Sequence, residues 1–322
     1  MAIQKIEKAA EKAPKMADPV ASSIDVATQQ MIARAQKLGI DTVFDRAVQM
    51  KPCNIGVQGI CCKNCAMGPC RLPLPKGGIE GEDTRKGLCG ATANTIAARN
   101  FIRMIAGGAA AHSDHGRSVA EVFMSAARKE TEAYKIKDTN KLIAVAGELG
   151  VDTTVEVDGE TKDRDIDEIA LEVANKAMNE WGKPEGEVLY LKRAPKPLYE
   201  KWVKAGVKPR NIDREIVEIM HRTHMGVDQD YKNLMRQGVR CSLADGWGGS
   251  MLATDLQDIL FGTPYPLQSE ANLGIMKADH VNIIIHGHEP VLSEIIVAVT
   301  QRQDMIDYAK SKGAKGIQLG GI

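Results

Sequence analysis

Five of the chain's seven cysteines lie in one stretch, "CNIGVQGICCKNCAMGPC", from Cys53 to Cys70, and a sixth, Cys89, follows in "GLCGATANT". That density constrains the fold more than any other feature of the sequence. Thiols so clustered on a glycine-rich backbone predict a loop wrapped around a metal centre. The spacing Cys62-x2-Cys65-x4-Cys70-x18-Cys89 supplies four thiolates. A 4Fe-4S cluster needs four, one per iron, commonly three close together and one remote. Gly59 and Gly68 let backbone amides approach the sulfur atoms, and Pro69 stiffens the turn beside Cys70. Zinc is the main alternative, but a zinc site usually pairs two short spacings, and only one Cys-x2-Cys occurs here. A disulfide set is disfavoured if the compartment is reducing.

Cys53 and Cys61 remain, with seven residues between them. Adjacent side chains such as those of Cys61 and Cys62 point apart in most conformations, so they suit different clusters. Two ligands are too few for a 4Fe-4S cluster, whereas a twofold axis would bring a second pair from another copy of the chain. A cluster shared across a homodimer is the economical reading; two unligated cysteines are the plain one.

The 322 residues carry 42 Lys and Arg against 42 Asp and Glu. That balance does not advertise nucleic acid or an anionic membrane as a partner. The start, "MAIQKIEKAAEKAPKMADP", lacks the apolar stretch of a signal peptide, and no apolar run is long enough for a membrane span. A cytoplasmic protein is the simplest expectation. Residues 1–25 read as a flexible lead-in, 26–262 as a mainly α domain carrying the cysteine loop at 53–89, and 263–322 as the start of a Rossmann-like α/β domain. Within the α domain, Val26, Met31, Ile32, Ala35 and Leu38 share a helical face that stops at Gly39. The stretch around "MIAGGAAAHSDHG" reads as helix, turn and helix, and residues 138–180 as two helices around an acidic turn. The ending reads as a buried strand over 281–285, a helix and a second strand over 316–319, a βαβ unit that demands a parallel sheet.

The motifs "CNIGVQGICCKNCAMGPCRL", "GLCGATANTIAARN", "AAAHSDHG", "EIMHRTHMG", "RCSLADGWGG", "DILFGTPYP" and "HGHEPVLSEIIVAV" occur in order from about residue 25 onward. Together they resemble the catalytic subunit of the anaerobic nickel-iron carbon monoxide dehydrogenases. The resemblance implies a homodimer that interconverts CO and water with CO2, two protons and two electrons, passing electrons to a ferredoxin-like acceptor. It implies that Cys62, Cys65, Cys70 and Cys89 bind the relay cluster B, and that Cys53 and Cys61 bind cluster D between the subunits. The nickel-iron-sulfur centre, cluster C, would take His288 of "HGHEP" as an iron ligand. His288 follows a strand at the edge where open α/β sheets place ligands; without the resemblance it reads as an exposed or helix-capping residue.

By the same resemblance, Asp245 in "CSLAD" handles water or protons near that centre, and His112 begins a proton-carrying histidine series. A helix-capping aspartate and a surface histidine are their plain readings. His115 lies one step on, but the series would continue at Ser118 and Glu121, where this sequence departs from the family pattern. Cys241, His221 and His224 match no assigned role. The chain stops at "GIQLGGI", where family members continue with a Cys-Cys pair. The expectation is therefore the N-terminal half of such an enzyme, inactive by itself. A non-catalytic electron-transfer or dimerisation module is the second expectation, and a hybrid-cluster-like hydroxylamine reductase the third. Acetyl-CoA synthase or a hydrogenase are the further partners the resemblance allows.

Overall fold

The computed structural model describes residues 15–50, 53–264, 276–285 and 290–321. The chain forms two compact units, Met1–Cys61 with Arg71–Glu80, and Cys62–Cys70 with Gly81–Ile322.

The smaller unit holds α1 (Pro19–Ser22), α2 (Val26–Lys37), α3 (Val43–Gln49) and α4 (Asn54–Val57). Asp25 starts α2 by accepting the Thr28 amide hydrogen at 2.6 Å. Thr42 and Asp45 form a reciprocal capping box at the start of α3. Asp45 is fully buried and also accepts the Ala17 amide and the Gln36 side chain, each at 2.9 Å. The Thr42 hydroxyl and the Ala17 amide hold its carboxyl far below the usual range, against the opposing effect of burial. The helical period predicted for α2 is correct, and Gly39 turns left-handed at φ 70° as its stop. Of the predicted apolar face, however, Ile32 is buried while Val26, Met31 and Leu38 stand exposed. Residues 1–14 of the expected lead-in lie outside the described residues.

The two-residue strands β1 (Cys61–Cys62) and β2 (Cys70–Arg71) follow in the chain. The larger unit is built on α5 (Ala93–Ala127), capped by the Thr92 hydroxyl. The predicted helix–turn–helix is instead one unbroken helix of 35 residues, about 52 Å long at 1.5 Å per residue. Gly107 and Gly108 each cost about 1 kcal/mol of helix propensity, which tertiary packing overrides. Ile102, Ala106, Ala109, Ser113, Gly116, Val119, Ala120 and Phe123 form a buried stripe along α5.

Small residues on that stripe are required by what lies against them. A Cβ on Gly116 would stand 2.5 Å from the ring of the fully buried Trp181. Gly116→Ala should therefore lower stability by about 1–3 kcal/mol through overpacking, measured as a shifted denaturant midpoint; an unchanged midpoint would mean that Trp181 has room to move.

Beyond α5 come α6 (Thr139–Leu149), the strands β3 (Thr154–Val157) and β4 (Glu160–Asp163), and α7 (Ile166–Gly182). The predicted acidic turn is in fact the antiparallel hairpin β3–β4, with Asp158 at φ 56° and Gly159 at φ 79°. An Asp-Gly pair between alternating residues is the expected signal for such a turn. Then follow a 3-10 turn (Leu189–Arg193), α8 (Lys196–Lys204), α9 (Ile212–Arg222) and α10 (Tyr231–Ala244). A π-helical segment (Asp245–Ser250) runs without a break into α11 (Met251–Phe261). Helices α7, α9, α10 and α11 and the π segment all pack on α5. No helix of the described residues is long and apolar enough to cross a membrane.

At the end, β5 (Val281–Ile284) pairs in parallel with β6 (Ile317–Gly321), as a βαβ unit requires. Two helices, α12 (Pro290–Thr300) and α13 (Gln303–Ser311), connect them rather than the one expected. Arg302 breaks the path by adopting an extended conformation before α13. Val281 and Ile284 on β5 are exposed in place of the predicted burial.

Candidate functional site

All four cysteines of the Cys62-x2-Cys65-x4-Cys70-x18-Cys89 pattern belong to the larger unit, whereas Cys53 and Cys61 belong to the smaller. Cys62 is buried; Cys65, Cys70 and Cys89 are half-buried; Cys61 is half-buried and Cys53 exposed. Cys62, Cys65, Cys70, Cys89 and Cys241 carry no disulfide. Glycine is needed twice around the four. A Cβ on Gly87 would come within 3.1 Å of the Cys70 Cβ and 3.3 Å of its Sγ. A Cβ on Gly68 would approach the Cys62 carbonyl oxygen to 3.0 Å and the Cys70 amide nitrogen to 3.2 Å.

Donors face the sulfur atoms. The Leu88 amide points its hydrogen at Cys70 Sγ over 3.4 Å. The Arg99 guanidinium donates to Cys89 Sγ at 3.5 Å, and the Gln229 side chain donates to the Cys89 carbonyl at 2.9 Å. Burial pushes the Cys89 thiol up, but Arg99 and the amides of Ala91 and Gly226 outweigh it and bring the thiol down to about 7. Such donors favour thiolate over thiol. Among the described residues, no three His, Cys, Asp or Glu side chains converge closely enough to hold a single metal ion. Four cysteines, glycines where sulfur is approached, and N–H groups turned to the sulfurs fit an iron–sulfur cluster, whose sulfurs accept such bonds.

A second feature joins distant parts of the larger unit. His112, midway along α5, meets Asp245, the first residue of the π segment, with Nδ1 2.6 Å from Oδ1. A carboxylate only accepts, so Nδ1 donates and Nε2 becomes the basic nitrogen. Gly249 makes room: its Cβ would fall 2.7 Å from Ile212 Cδ1 and 3.5 Å from the His112 Cβ. One residue on, the Ser113 hydroxyl donates to Asp213 at 2.6 Å and receives Arg117 at 2.6 Å. Arg117 also pairs directly with Asp213. The wider turn of a π-helix re-aims side chains and often marks functional positions. His115 and Ser118 are half-buried further along α5, and Glu121 is exposed.

His288 lies outside the described residues. Cys241 is fully buried on α10; burial, with the nearby charges of Glu215 and Asp245, pushes its thiol up to about 12. His221 and His224 are exposed at the end of α9.

The sequence profile of the Prismane/CO dehydrogenase family matches residues 60–322. The chain belongs to that family. Among its relatives, carbon monoxide dehydrogenase 1 of Methanosarcina acetivorans is 49% identical over 302 residues, covering 93% of this chain and 46% of the relative. The solved nickel-free carbon monoxide dehydrogenase from Thermococcus sp. AM4 superposes with a TM-score of 0.78 at 47% identity, over 95% of this chain and 47% of that one. A solved acetyl-CoA synthase/carbon monoxide dehydrogenase, described with NiZn[Fe4S4] and NiNi[Fe4S4] clusters in its alpha subunits, gives a TM-score of 0.74 at 39% identity, over 95% of this chain and 44% of that one. The chain thus spans about half the length of the curated relatives it matches.

Within this Prismane/CO dehydrogenase chain, sequence inspection did not single out Arg99, Gln229 or the Ser113–Arg117–Asp213 group. Arg99 sits ten residues from Cys89 in a run of small helical residues, and nothing local distinguishes it from a surface arginine. Gln229 is 140 positions from its partner. Only the folded chain brings them to the cysteines.

Proposed function

We propose that this chain is the N-terminal portion of an anaerobic carbon monoxide dehydrogenase, converting CO and water reversibly to CO2, two protons and two electrons. The observation that carries the proposal is the four-cysteine pattern gathered in one compact unit, with Cys53 and Cys61 set apart in the other, in a chain about half identical to a carbon monoxide dehydrogenase. In this reading residues 26–262 are the helical domain and 263–322 begin a Rossmann-like α/β domain. Cys62, Cys65, Cys70 and Cys89 hold a 4Fe-4S cluster, while Cys53 and Cys61 share another with a second copy of the chain. Such clusters supply one-electron storage that carries electrons to a ferredoxin-like acceptor. His288 is the proposed iron ligand of the nickel centre. Acetyl-CoA synthase is a proposed assembly partner, on the ground that one solved relative is an acetyl-CoA synthase/carbon monoxide dehydrogenase.

The His112–Asp245 pair handles the protons. Asp245 orients the imidazole through Nδ1 and stabilises it when Nε2 takes a proton, the arrangement a relay group needs. His112→Gln should lower turnover about 100-fold while leaving iron content unchanged. An unaltered rate and pH profile would remove His112 from the proton path.

The decisive assay uses protein made anaerobically from its native gene, with CO as reductant and a viologen dye as acceptor. CO-dependent dye reduction by protein containing nickel supports the dehydrogenase. Clusters without CO oxidation would leave an electron-transfer module, and hydroxylamine reduction without CO oxidation would favour a hybrid-cluster activity.

A further inference from the structure

Arg99 is 1% exposed, on α5 about two turns past the Thr92 cap. An arginine keeps its proton in proteins, so a full positive charge is buried at this point. Its partners are few. Nη2 donates to the Asp228 carbonyl at 2.8 Å and Nη1 to Cys89 Sγ at 3.5 Å, while the buried Nε finds no acceptor. Among the described residues, none of the ion pairs includes Arg99. Even half-buried arginines of the same unit have carboxylates: Arg193 pairs with Glu148 and Asp255, and Arg210 and Arg240 pair with Glu215 and Glu218. A buried charge left without an opposite one is strongly destabilising. Among the described residues that Arg99 hydrogen-bonds, the group able to carry negative charge is the Cys89 sulfur.

We propose that Arg99 is the built-in countercharge of the four-cysteine site and raises its reduction potential by acting through Cys89. The inference rests on the reading that Cys62, Cys65, Cys70 and Cys89 hold a 4Fe-4S cluster. When such a cluster gains one electron its negative charge grows by one unit, and a fixed cation in a low-dielectric setting favours that reduced state. The Asp228 carbonyl keeps the guanidinium turned to the sulfur, and α5 anchors its stem. Arg99 is thus a positioning residue that meets a ligand rather than the reacting gas. A purely structural role, pinning the 226–229 segment to α5, would leave the potential unchanged.

The test compares Arg99→Gln and Arg99→Lys with the unsubstituted protein, all produced anaerobically from the native gene. Iron content, thermal melting and an EPR-monitored redox titration are read together. The relevant signal is identified as the one that Cys89→Ser removes. Arg99→Gln should retain iron yet shift the reduction equilibrium about tenfold towards the oxidised form, about 59 mV more negative for one electron. Arg99→Lys, which keeps the charge, should recover most of that shift. An unchanged potential in folded Arg99→Gln, whatever its melting temperature, overturns the proposal. If Arg99→Gln fails to accumulate, Arg99→Met decides, because it removes the charge and keeps a long stem: a shift of about tenfold towards the oxidised form supports the countercharge, and an unchanged potential overturns it. Absence of an iron–sulfur signal from the unsubstituted protein would instead overturn the cluster reading, and this inference with it.

Discussion

Replacing Cys70 with serine should strip about four irons and as many labile sulfides from each chain. A serine hydroxyl is a hard, weakly acidic oxygen, and the soft iron–sulfur core prefers thiolate. The setting of Cys70 leaves little room for compensation. Gly87 lies so close that even a methyl group there would press on the Cys70 sulfur, and the Leu88 amide hydrogen is directed at that same atom. A shifted backbone could not easily offer a substitute ligand. The comparison variant is Cys241→Ala, which alters a fully buried thiol on α10. It should keep its iron and cost about 1 kcal/mol of stability. Iron and sulfide assays on anaerobically purified protein separate the two. Full retention of iron in Cys70→Ser would take Cys70 out of the ligand set, whereas absence of iron from the unsubstituted protein would reopen the zinc and disulfide alternatives. The same assay applied to Cys62, Cys65 and Cys89 tests whether the four act as one unit, as a shared cluster demands.

The second large effect is expected at Glu215, which is not part of the four-cysteine site. Its carboxylate is completely buried on α9. It accepts from the Arg210 backbone amide and Nε, each at 3.0 Å, from Arg240 Nε at 3.1 Å and from Gln237 Nε2 at 2.6 Å. One side chain thus ties the start of α9 to α10, the helix that leads into the π segment and Asp245. Glu215→Ala leaves Arg210 and Arg240 with Glu218 as their shared carboxylate, and removing one member of a buried ionic group costs about 3–5 kcal/mol. A denaturant titration reads that loss. The His112–Asp245 bond should loosen in the same variant, because α9 supplies the Ile212 side chain that walls Gly249. A stability change below about 1 kcal/mol would mean that the neighbouring charges rearrange around Glu218 and that Glu215 is dispensable.

Much of the candidate site was legible in the linear chain. Cysteine spacing is a local property: three of the four proposed ligands lie within nine residues, so the loop declares itself without knowledge of the rest. The helical period of α2 and its stop at Gly39 were legible for the same reason. The Asp158-Gly159 hairpin was also written in the sequence and was overlooked in favour of a simple acidic turn. The continuity of α5 was not legible. Local propensity argues for a break at Gly107-Gly108, and only the helices packed along the buried stripe reverse that preference.

The sequence by itself determined which residues could ligate metal, that the chain is mainly helical, and that it ends in a parallel strand pair. Each of these follows from spacing or periodicity over a few turns of chain. Tertiary structure alone decided that Arg99 is buried against Cys89, that His112 meets Asp245 across 133 positions, and that Glu215 is enclosed by arginines. Long-range pairs of this kind leave no local pattern, because a buried charge and a solvated one are the same letter until packing removes the water.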